Sequence, residues 1–222
     1  MRPERSWVRA PALIRLDPFY PILPDTEWLA RLLPLGLKLV QLRVKEKPRD
    51  VVSGEIEKAI GLCAAHRCQL VVNDYWREAI DEGADFVHLG QEDLAEADLA
   101  AIRAAGLKIG VSTHSHAELD AALAAGADYV ALGPIYETKL KAMKWAAQGL
   151  SRLAEWRARI GCPLVAIGGI TSDRVASVLS AGADSAAVVT DIVTSEDPDL
   201  RVKNWIAATA PWRSLSTDRA QD

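Results

Sequence analysis

The chain has few cysteines, few methionines and no long apolar run. It contains three cysteines and two methionines among 222 residues. An odd number of cysteines without metal-ligand spacing excludes a disulfide framework and a cysteine-based metal site, so we expect reduced thiols and a cytoplasmic protein. Apolar stretches such as residues 164–170 fall far short of the ~18 residues that a membrane helix needs. The sequence therefore predicts no membrane contact.

Positive charge is not in excess either. The formal net charge is −4 with both signs interspersed, whereas a nucleic-acid-binding surface needs a basic stripe. Residues 1–7 lack the apolar segment of a signal peptide. Hydrophobic residues make up 50% of the chain and charged residues 25%, which is the globular average and excludes wholesale disorder. We therefore expect a folded protein without a nucleic-acid partner.

A short phrase, Gly-Ala-Asp, occurs three times, at residues 83–85, 126–128 and 182–184. An alanine-rich or amphipathic stretch precedes each copy, and a β-rich run follows it. Glycine ends helices because it adopts positive φ without strain. The phrase therefore indicates a repeated unit in which a helix ends at the glycine and a short turn leads into a strand.

Eight strands are predicted in all, most of them continuous apolar runs of the kind found in parallel sheets buried on both faces. They cover Phe19–Leu23, 39–44, 69–74, 86–90, Lys108–Thr113, 129–133, 163–170 and 185–190. Helical stretches alternate with them, at 27–33, 51–65, 75–82, 96–105, 116–125, 148–160, 172–181 and 198–208.

This alternation predicts an α/β protein with a single (β/α)8 TIM barrel. The barrel domain is expected at residues 18–208, between an N-terminal extension (1–17) and a C-terminal tail (209–222). An open doubly wound sheet is the main competitor. Its dinucleotide-binding form carries G-x-G-x-x-G after the first strand, and residues 21–25 offer nothing of the kind.

Active sites of such barrels form at the carboxyl ends of the strands, and nearly every predicted strand here ends in polar residues or glycine. These residues are Gln41, Arg43, Lys45, Asn73, Asp74, Gln91, Glu92, Asp93, Ser112, Thr113, His114, Thr138, Gly168, Gly169, Thr190 and Asp191, with Lys139, Lys141 and Lys144 after strand six. Polar groups that face a barrel axis are costly unless they bind something. The pattern therefore predicts a binding site at this end.

The predicted chemistry involves two anionic groups. Gly168 and Gly169 allow close backbone approach, and Thr190 stands before a short final helix, so a phosphate is expected after strands seven and eight. Asp74 and Asp93 are oxygen ligands of the type that Mg²⁺ takes together with substrate phosphates. These residues therefore predict a phosphate site and a metal-bound phosphate or diphosphate.

Basic residues and histidines complete the predicted site at the carboxyl ends of the strands, which is called the mouth of the barrel below. Arg43, Lys45 and Lys141 supply positive charge for phosphate oxygens. His88 is interpreted as a hydrogen-bonded core residue that points into the barrel. For His114, a supporting or capping role and a catalytic role both stay open.

Seven phrases, in this order, resemble thiamine phosphate synthase over roughly residues 19–195. They are Val-Gln-Leu-Arg-Val-Lys (40–45), Val-Asn-Asp (72–74), Val-His-Leu-Gly-Gln-Glu-Asp (87–93), Gly-Val-Ser-Thr-His (110–114), Gly-Pro-Ile-Tyr (133–136), Ala-Ile-Gly-Gly-Ile (166–170) and Val-Val-Thr (188–190). The family fold is a (β/α)8 barrel, in agreement with the strand count.

The resemblance implies an alkyl transfer that depends on Mg²⁺. Hydroxymethylpyrimidine diphosphate and a thiazole phosphate give thiamine phosphate and diphosphate. The thiazole nitrogen attacks the pyrimidine methylene as diphosphate leaves, and the family is thought to react through a pyrimidine carbocation. Such chemistry needs a stabilised leaving group and a positioned nucleophile more than an acid or base.

The resemblance also implies roles for individual residues. Arg43, Lys45, Ser112 and Lys141 match catalytic positions, and Asp74 and Asp93 match the Mg²⁺ ligands. The substrate-binding positions, which include some of these, are Gln41, Arg43, Lys45, Asn73, Ser112, Thr138, Lys141, Gly169, Val189 and Thr190.

Four positions depart from the family's pattern. Val44 replaces the glutamate of Arg-Glu-Lys, Leu140 replaces a hydroxyl donor, Asp191 follows Thr190 where Ser-Ala is usual, and Arg77 stands where aspartate is common. The alternatives are a thiazole tautomerase-like paralogue, a non-catalytic regulator that binds a phosphate ligand, and another phosphosugar barrel enzyme. A homo-oligomer also stays open. The metal carboxylates and the lysines favour the synthase.

Overall fold

A closed barrel of eight parallel strands forms the centre of the protein, and each strand pairs with its neighbours in chain order. The computed structural model describes residues 14–138 and 145–218, with side chains up to Arg213. The strands are β1 (Phe19–Leu23), β2 (Leu39–Leu42), β3 (Gln69–Asn73), β4 (Phe86–Leu89), β5 (Lys108–Thr113), β6 (Tyr129–Leu132), β7 (Leu164–Ile167) and β8 (Ser185–Val188). The predicted (β/α)8 barrel is confirmed.

Helices surround the barrel. They are α1 (Thr26–Leu32), α2 (Arg49–His66), α3 (Trp76–Asp81), α4 (Gln91–Glu96), α5 (Leu99–Ala104), α6 (His116–Ala124), α7 (Gly149–Arg159), α8 (Val175–Ser180), α9 (Thr190–Val193) and α10 (Pro198–Asp218), and a 3-10 turn spans Leu33–Leu35. Within the described ranges, no helix is long and apolar enough to cross a membrane.

The element boundaries differ from the sequence-based expectation in three main ways. Several strands end one to three residues early, because the polar residues and glycines at their predicted ends already belong to the loops at the mouth. The predicted helix at 96–105 is the shorter helix α5, since Ala97 is extended and the Asp98 carboxylate caps α5 by accepting from the Ala101 N–H, while a separate helix, α4, ends at Glu96. The last helix continues past residue 208 to Asp218, so it crosses the predicted boundary of the tail.

The Gly-Ala-Asp phrase forms the repeated turn that the sequence predicted. Gly83, Gly126 and Gly182 all have positive φ directly after a helix. Two of the aspartates also join neighbouring strands, since the Asp128 and Asp184 carboxylates each accept a strand backbone N–H at 2.8 Å. The phrase therefore fixes the end of the barrel opposite the mouth.

Two apolar layers hold the fold together. The outer layer lies between strands and helices, where the Trp205 ring of α10 stacks on Phe19 of β1 with centroids 5.1 Å apart. The inner layer fills the barrel and includes Tyr20, Val71 and Tyr129, all almost completely buried. Interior residues have no access to bulk water, so each polar group among them needs a protein partner.

Gly110 is the glycine at which an added methyl group would come closest to another atom. It lies opposite Tyr129 in the β5–β6 register, and a methyl group at Gly110 would overlap the Tyr129 ring. The missing side chain therefore provides the space in which Tyr129 crosses the barrel.

We expect Gly110→Ala to lower the free energy of unfolding by about 1–3 kcal/mol, the usual effect of overpacking a core. Gly54, inside α2, would meet no atom within 4 Å if it carried a methyl group. Gly54→Ala should therefore raise stability by about 0.5–1 kcal/mol through helix propensity. Urea titration followed by circular dichroism measures both changes, and equal effects at the two positions would contradict this account.

Candidate active site

A large cleft opens at the mouth between the ends of β1, β2 and β8. Its volume is about 640 Å³. Arg43 and Lys45 line it because the chain leaves β2 at Leu42, while the Arg43 backbone N–H still donates to the Leu23 carbonyl at 2.8 Å. Two predicted phosphate-binding cations therefore share one cavity wall.

Gln41 reaches the same end of the barrel but has different surroundings. Alternation along a strand predicts that Gln41 points to the same side as Arg43 and Lys45. Its side chain lies inside the barrel, 2% exposed, and its amide nitrogen donates to the Tyr20 hydroxyl at 2.9 Å. Gln41 therefore borders the site from the interior.

A second, smaller cleft contains the two predicted metal ligands. It measures about 160 Å³ and is lined by Asp74 and Asp93. Asp74 follows β3 with a left-handed φ of 64°, and its carboxylate accepts from the Asn73 side-chain amide. Asp93 lies in the first turn of α4 and packs against Gly90, where an added methyl group would come within 2.9 Å of its carboxylate.

The electrostatics of the small cleft fit a cation. Burial and the nearby Asp93 carboxylate raise the pKa of Asp74 to about 6, and the positive charge of Arg43 partly opposes this effect. Two neighbouring carboxylates repel each other when both are charged. A divalent cation bound to both would remove this repulsion. Within residues 14–138 and 145–218, no group of three His, Cys, Asp or Glu residues is placed to hold a metal. An Mg²⁺ ion held by this pair would therefore take its remaining ligands from water and substrate phosphates.

Ser112 lies near the end of β5, with its hydroxyl 2.8 Å from His88 Nε2. Its backbone carbonyl accepts from the Gln91 side chain at 2.6 Å. His88 is buried, and its Nδ1 lies 2.9 Å from the Tyr129 hydroxyl. The prediction of a hydrogen-bonded core histidine is therefore confirmed.

The glycines after β7 contact protein. A side chain at Gly168 would meet Pro134, and one at Gly169 would meet the Glu137 carbonyl at 2.6 Å. The close approach predicted for Gly169 is therefore to the loop after β6. That loop leads to Thr138, which is partly buried. Lys141 lies outside the described residues, as do Lys139, Leu140 and Lys144.

The end of β8 completes the large cleft. Val189 lines the cavity, and Thr190 begins the short helix α9. The Asp191 carboxylate turns to α10, where it accepts from the Trp205 indole N–H at 2.7 Å and lies 3.7 Å from Arg201. The charge of Asp191 therefore has partners on α10, although Asp191 directly follows Thr190 of the expected phosphate site.

His114 caps α6. Its ring Nδ1 lies 2.8 Å from the Glu118 carboxylate, which also accepts the His114 backbone N–H at 2.7 Å. Its ring stacks on Trp145, with centroids 5.7 Å apart. Of the roles left open for His114, the geometry favours the supporting one, because its ring is held by Glu118 and Trp145.

The profile of the thiamine monophosphate synthase family matches residues 21–192. The chain belongs to this family. It is 64% identical over 203 residues to the thiamine-phosphate synthase of Rhizobium etli, which covers 91% of this chain and all of that protein. It is 46% identical to the thiamine-phosphate synthase of Citrobacter koseri, over 86% of this chain and 88% of that protein.

Solved structures agree with this assignment. The thiamine phosphate pyrophosphorylase of Pyrococcus furiosus superposes with a TM-score of 0.79 at 27% identity, over 88% of this chain and 96% of that one. A 3-hexulose-6-phosphate synthase superposes with a TM-score of 0.61 at 18% identity, over 85% of this chain and 98% of that one. The second likeness shows the barrel fold alone.

Sequence reasoning missed two residues, Tyr20 and Tyr129, that support the site from inside the barrel. Tyr20 and Tyr129 lie within strands and resemble ordinary core aromatics, yet their hydroxyls lie 3.1 Å apart and connect Gln41 to His88. The available signal was Gly110, a glycine inside a strand, which often marks close approach of a neighbouring group.

We expect Asp191→Ala to lower the free energy of unfolding by about 1–3 kcal/mol, because the buried Trp205 N–H would lose its acceptor. Asp191→Asn keeps a carbonyl oxygen for this N–H and should lose less than half as much. Thermal and urea unfolding measure both variants. Equal loss in the two would show that the charge, and not the acceptor, stabilises the fold.

Proposed function

We propose that this protein is a thiamine phosphate synthase that joins hydroxymethylpyrimidine diphosphate to thiazole phosphate. One observation carries the proposal: cations and a carboxylate pair meet at one mouth. Arg43 lines the large cleft and is close enough to Asp74 of the small cleft to influence its pKa. A diphosphate that bridges the clefts would meet positive side chains on one side and a carboxylate-bound cation on the other.

The leaving group is the part of the reaction that these residues serve. The C–O bond between the pyrimidine methylene and the diphosphate breaks, and its electron pair leaves with the diphosphate. Arg43 and Lys45 stabilise the negative charge that develops on the oxygens. Asp74 and Asp93 would hold Mg²⁺, which supplies further positive charge to the diphosphate when bound.

The large cleft suits the second substrate. Ile22, Val189 and Val193 give it an apolar wall, against which a thiazole ring can pack. Thr190 and Gly169 are proposed at the thiazole phosphate, together with Thr138 and Lys141. The new C–N bond then forms from the thiazole nitrogen to the methylene carbon, and the nitrogen becomes positively charged. Position and exclusion of water govern this step.

The carboxylate pair also separates the candidate functions. A thiazole tautomerase-like paralogue has no diphosphate to stabilise, so it has no need of Asp74 and Asp93 together with Arg43 and Lys45. The synthase accounts for all four. The proposed location of the protein is the cytoplasm, and its proposed partners are the two substrates. A homo-oligomer stays an open expectation.

The direct test is an assay with both substrates, in Mg²⁺ and in excess EDTA. We expect thiamine phosphate and diphosphate in equal amounts with Mg²⁺, and a rate lower on the order of 10²-fold without it. No thiamine phosphate under any condition would exclude the synthase. Full activity in EDTA would exclude the metal role of the carboxylates.

We expect Asp93→Asn to lower kcat/KM on the order of 10²-fold, because the cation would lose one of two carboxylates. The melting temperature should change by less than about 3 °C. Glu96→Gln is the matched control, since Glu96 is exposed and lines the same small cleft. Its activity should stay within about twofold of the unmodified enzyme. Parallel loss of activity and stability in Asp93→Asn would make Asp93 a structural residue.

A further inference from the structure

Five side chains joined by hydrogen bonds cross the barrel interior from β2 to β5. This series is called the hydrogen-bond chain below. The Gln41 amide nitrogen lies 2.9 Å from the Tyr20 hydroxyl, and this hydroxyl lies 3.1 Å from that of Tyr129. The Tyr129 hydroxyl lies 2.9 Å from His88 Nδ1. His88 Nε2 lies 2.8 Å from the Ser112 hydroxyl. The hydrogen-bond chain thus ends at a residue of the proposed site.

Burial fixes the protonation of the three central members. Desolvation raises the pKa values of Tyr20 and Tyr129 well above that of an exposed tyrosine, so each hydroxyl keeps its hydrogen. Desolvation also lowers the pKa of His88 to about 4, so its ring is neutral and carries one hydrogen. Each member therefore has one hydrogen to donate.

The amide nitrogen of Gln41 gives the hydrogen-bond chain a direction. It can only donate, so the Tyr20 hydroxyl accepts from it and donates its own hydrogen to Tyr129. The Tyr129 hydroxyl then donates to His88 Nδ1. Any other arrangement would leave a buried hydrogen without an acceptor, and such groups are costly.

This direction determines the tautomer of His88. Because Nδ1 accepts from Tyr129, the ring hydrogen must be on Nε2, and Nε2 donates to the Ser112 hydroxyl oxygen. Ser112 is partly exposed at the end of β5. Its own hydrogen is therefore not used by His88 and can be donated into the mouth.

We propose that Tyr129 is a positioning residue, which acts through His88 to keep the Ser112 hydroxyl as a donor toward an acceptor atom of the bound substrate. The inference rests on the proposed function in taking Ser112 as a substrate contact. In the opposite tautomer, Nε2 would accept the Ser112 hydrogen and the substrate would lose this donor. The interior of the barrel thus prepares a hydrogen bond at its mouth.

The first test is the tautomer of His88 in the full-length protein, measured by ¹⁵N NMR of the histidine rings. We expect a protonated Nε2 and a bare Nδ1. His88→Gln identifies the signal by its disappearance. A protonated Nδ1 in the unmodified protein would overturn the proposal, and this spectrum requires no active enzyme.

Variants of the two tyrosines separate their contributions. Tyr20→Phe leaves the Tyr129 hydroxyl facing Nδ1, so the tautomer should stay the same. Tyr129→Phe removes the donor, so both tautomers should appear. A Tyr129→Phe spectrum identical to that of Tyr20→Phe would contradict the role of Tyr129.

Kinetics distinguish positioning from a structural effect. Tyr129→Phe should lower kcat by about tenfold, the scale of one hydrogen bond lost in the transition state. In a Ser112→Ala background the same change should have little further effect. Equal factors in both backgrounds would show that Tyr129 only supports the fold. If the unmodified protein makes no thiamine phosphate, the proposed function fails while the NMR result on the hydrogen-bond direction stands.

Discussion

Closure of the sheet between β1 and β8 is the constraint on which the site depends. Tyr20 pairs with Ala187 across this seam, and just below it the Ser185 hydroxyl donates to the Asp17 carbonyl at 2.7 Å. The same closure brings Val189, from the end of the chain's last strand, into one cleft with Arg43 from the second. Residues almost 150 positions apart thus form a common wall, which an open sheet would leave at opposite edges.

The closed interior also controls the electrostatics of the mouth. Water is excluded there, so polar side chains satisfy one another, and the hydrogen-bond chain from Gln41 to Ser112 is the result. At the rim, burial and the nearby Asp93 carboxylate together disfavour the charge of Asp74 and raise its pKa. The proposed hydrogen-bond donor, Ser112, and the proposed cation ligands therefore share one mouth, and both depend on the degree of burial.

Much of the architecture was predictable from the sequence because apolar runs mark strands buried on both faces. The bounds of β1 and β5 match their predictions, and the polar strand ends identified the mouth. The helix α4 was missed because Gln91 and Asp93 follow a glycine and have the composition of a loop. The partner of Asp191 could not be predicted, since Trp205 lies on a later helix and only packing against Phe19 brings it there.

The helix α10 connects the two ends of the barrel. Trp205 near its middle binds Asp191 at the mouth, while Arg213 binds the Asp17 carboxylate, just before β1, through two hydrogen bonds of 2.8 Å. Eight residues of helix span about 12 Å between these attachments. The helix therefore holds both the mouth and the segment that starts the first strand, with Pro211 between the two attachments.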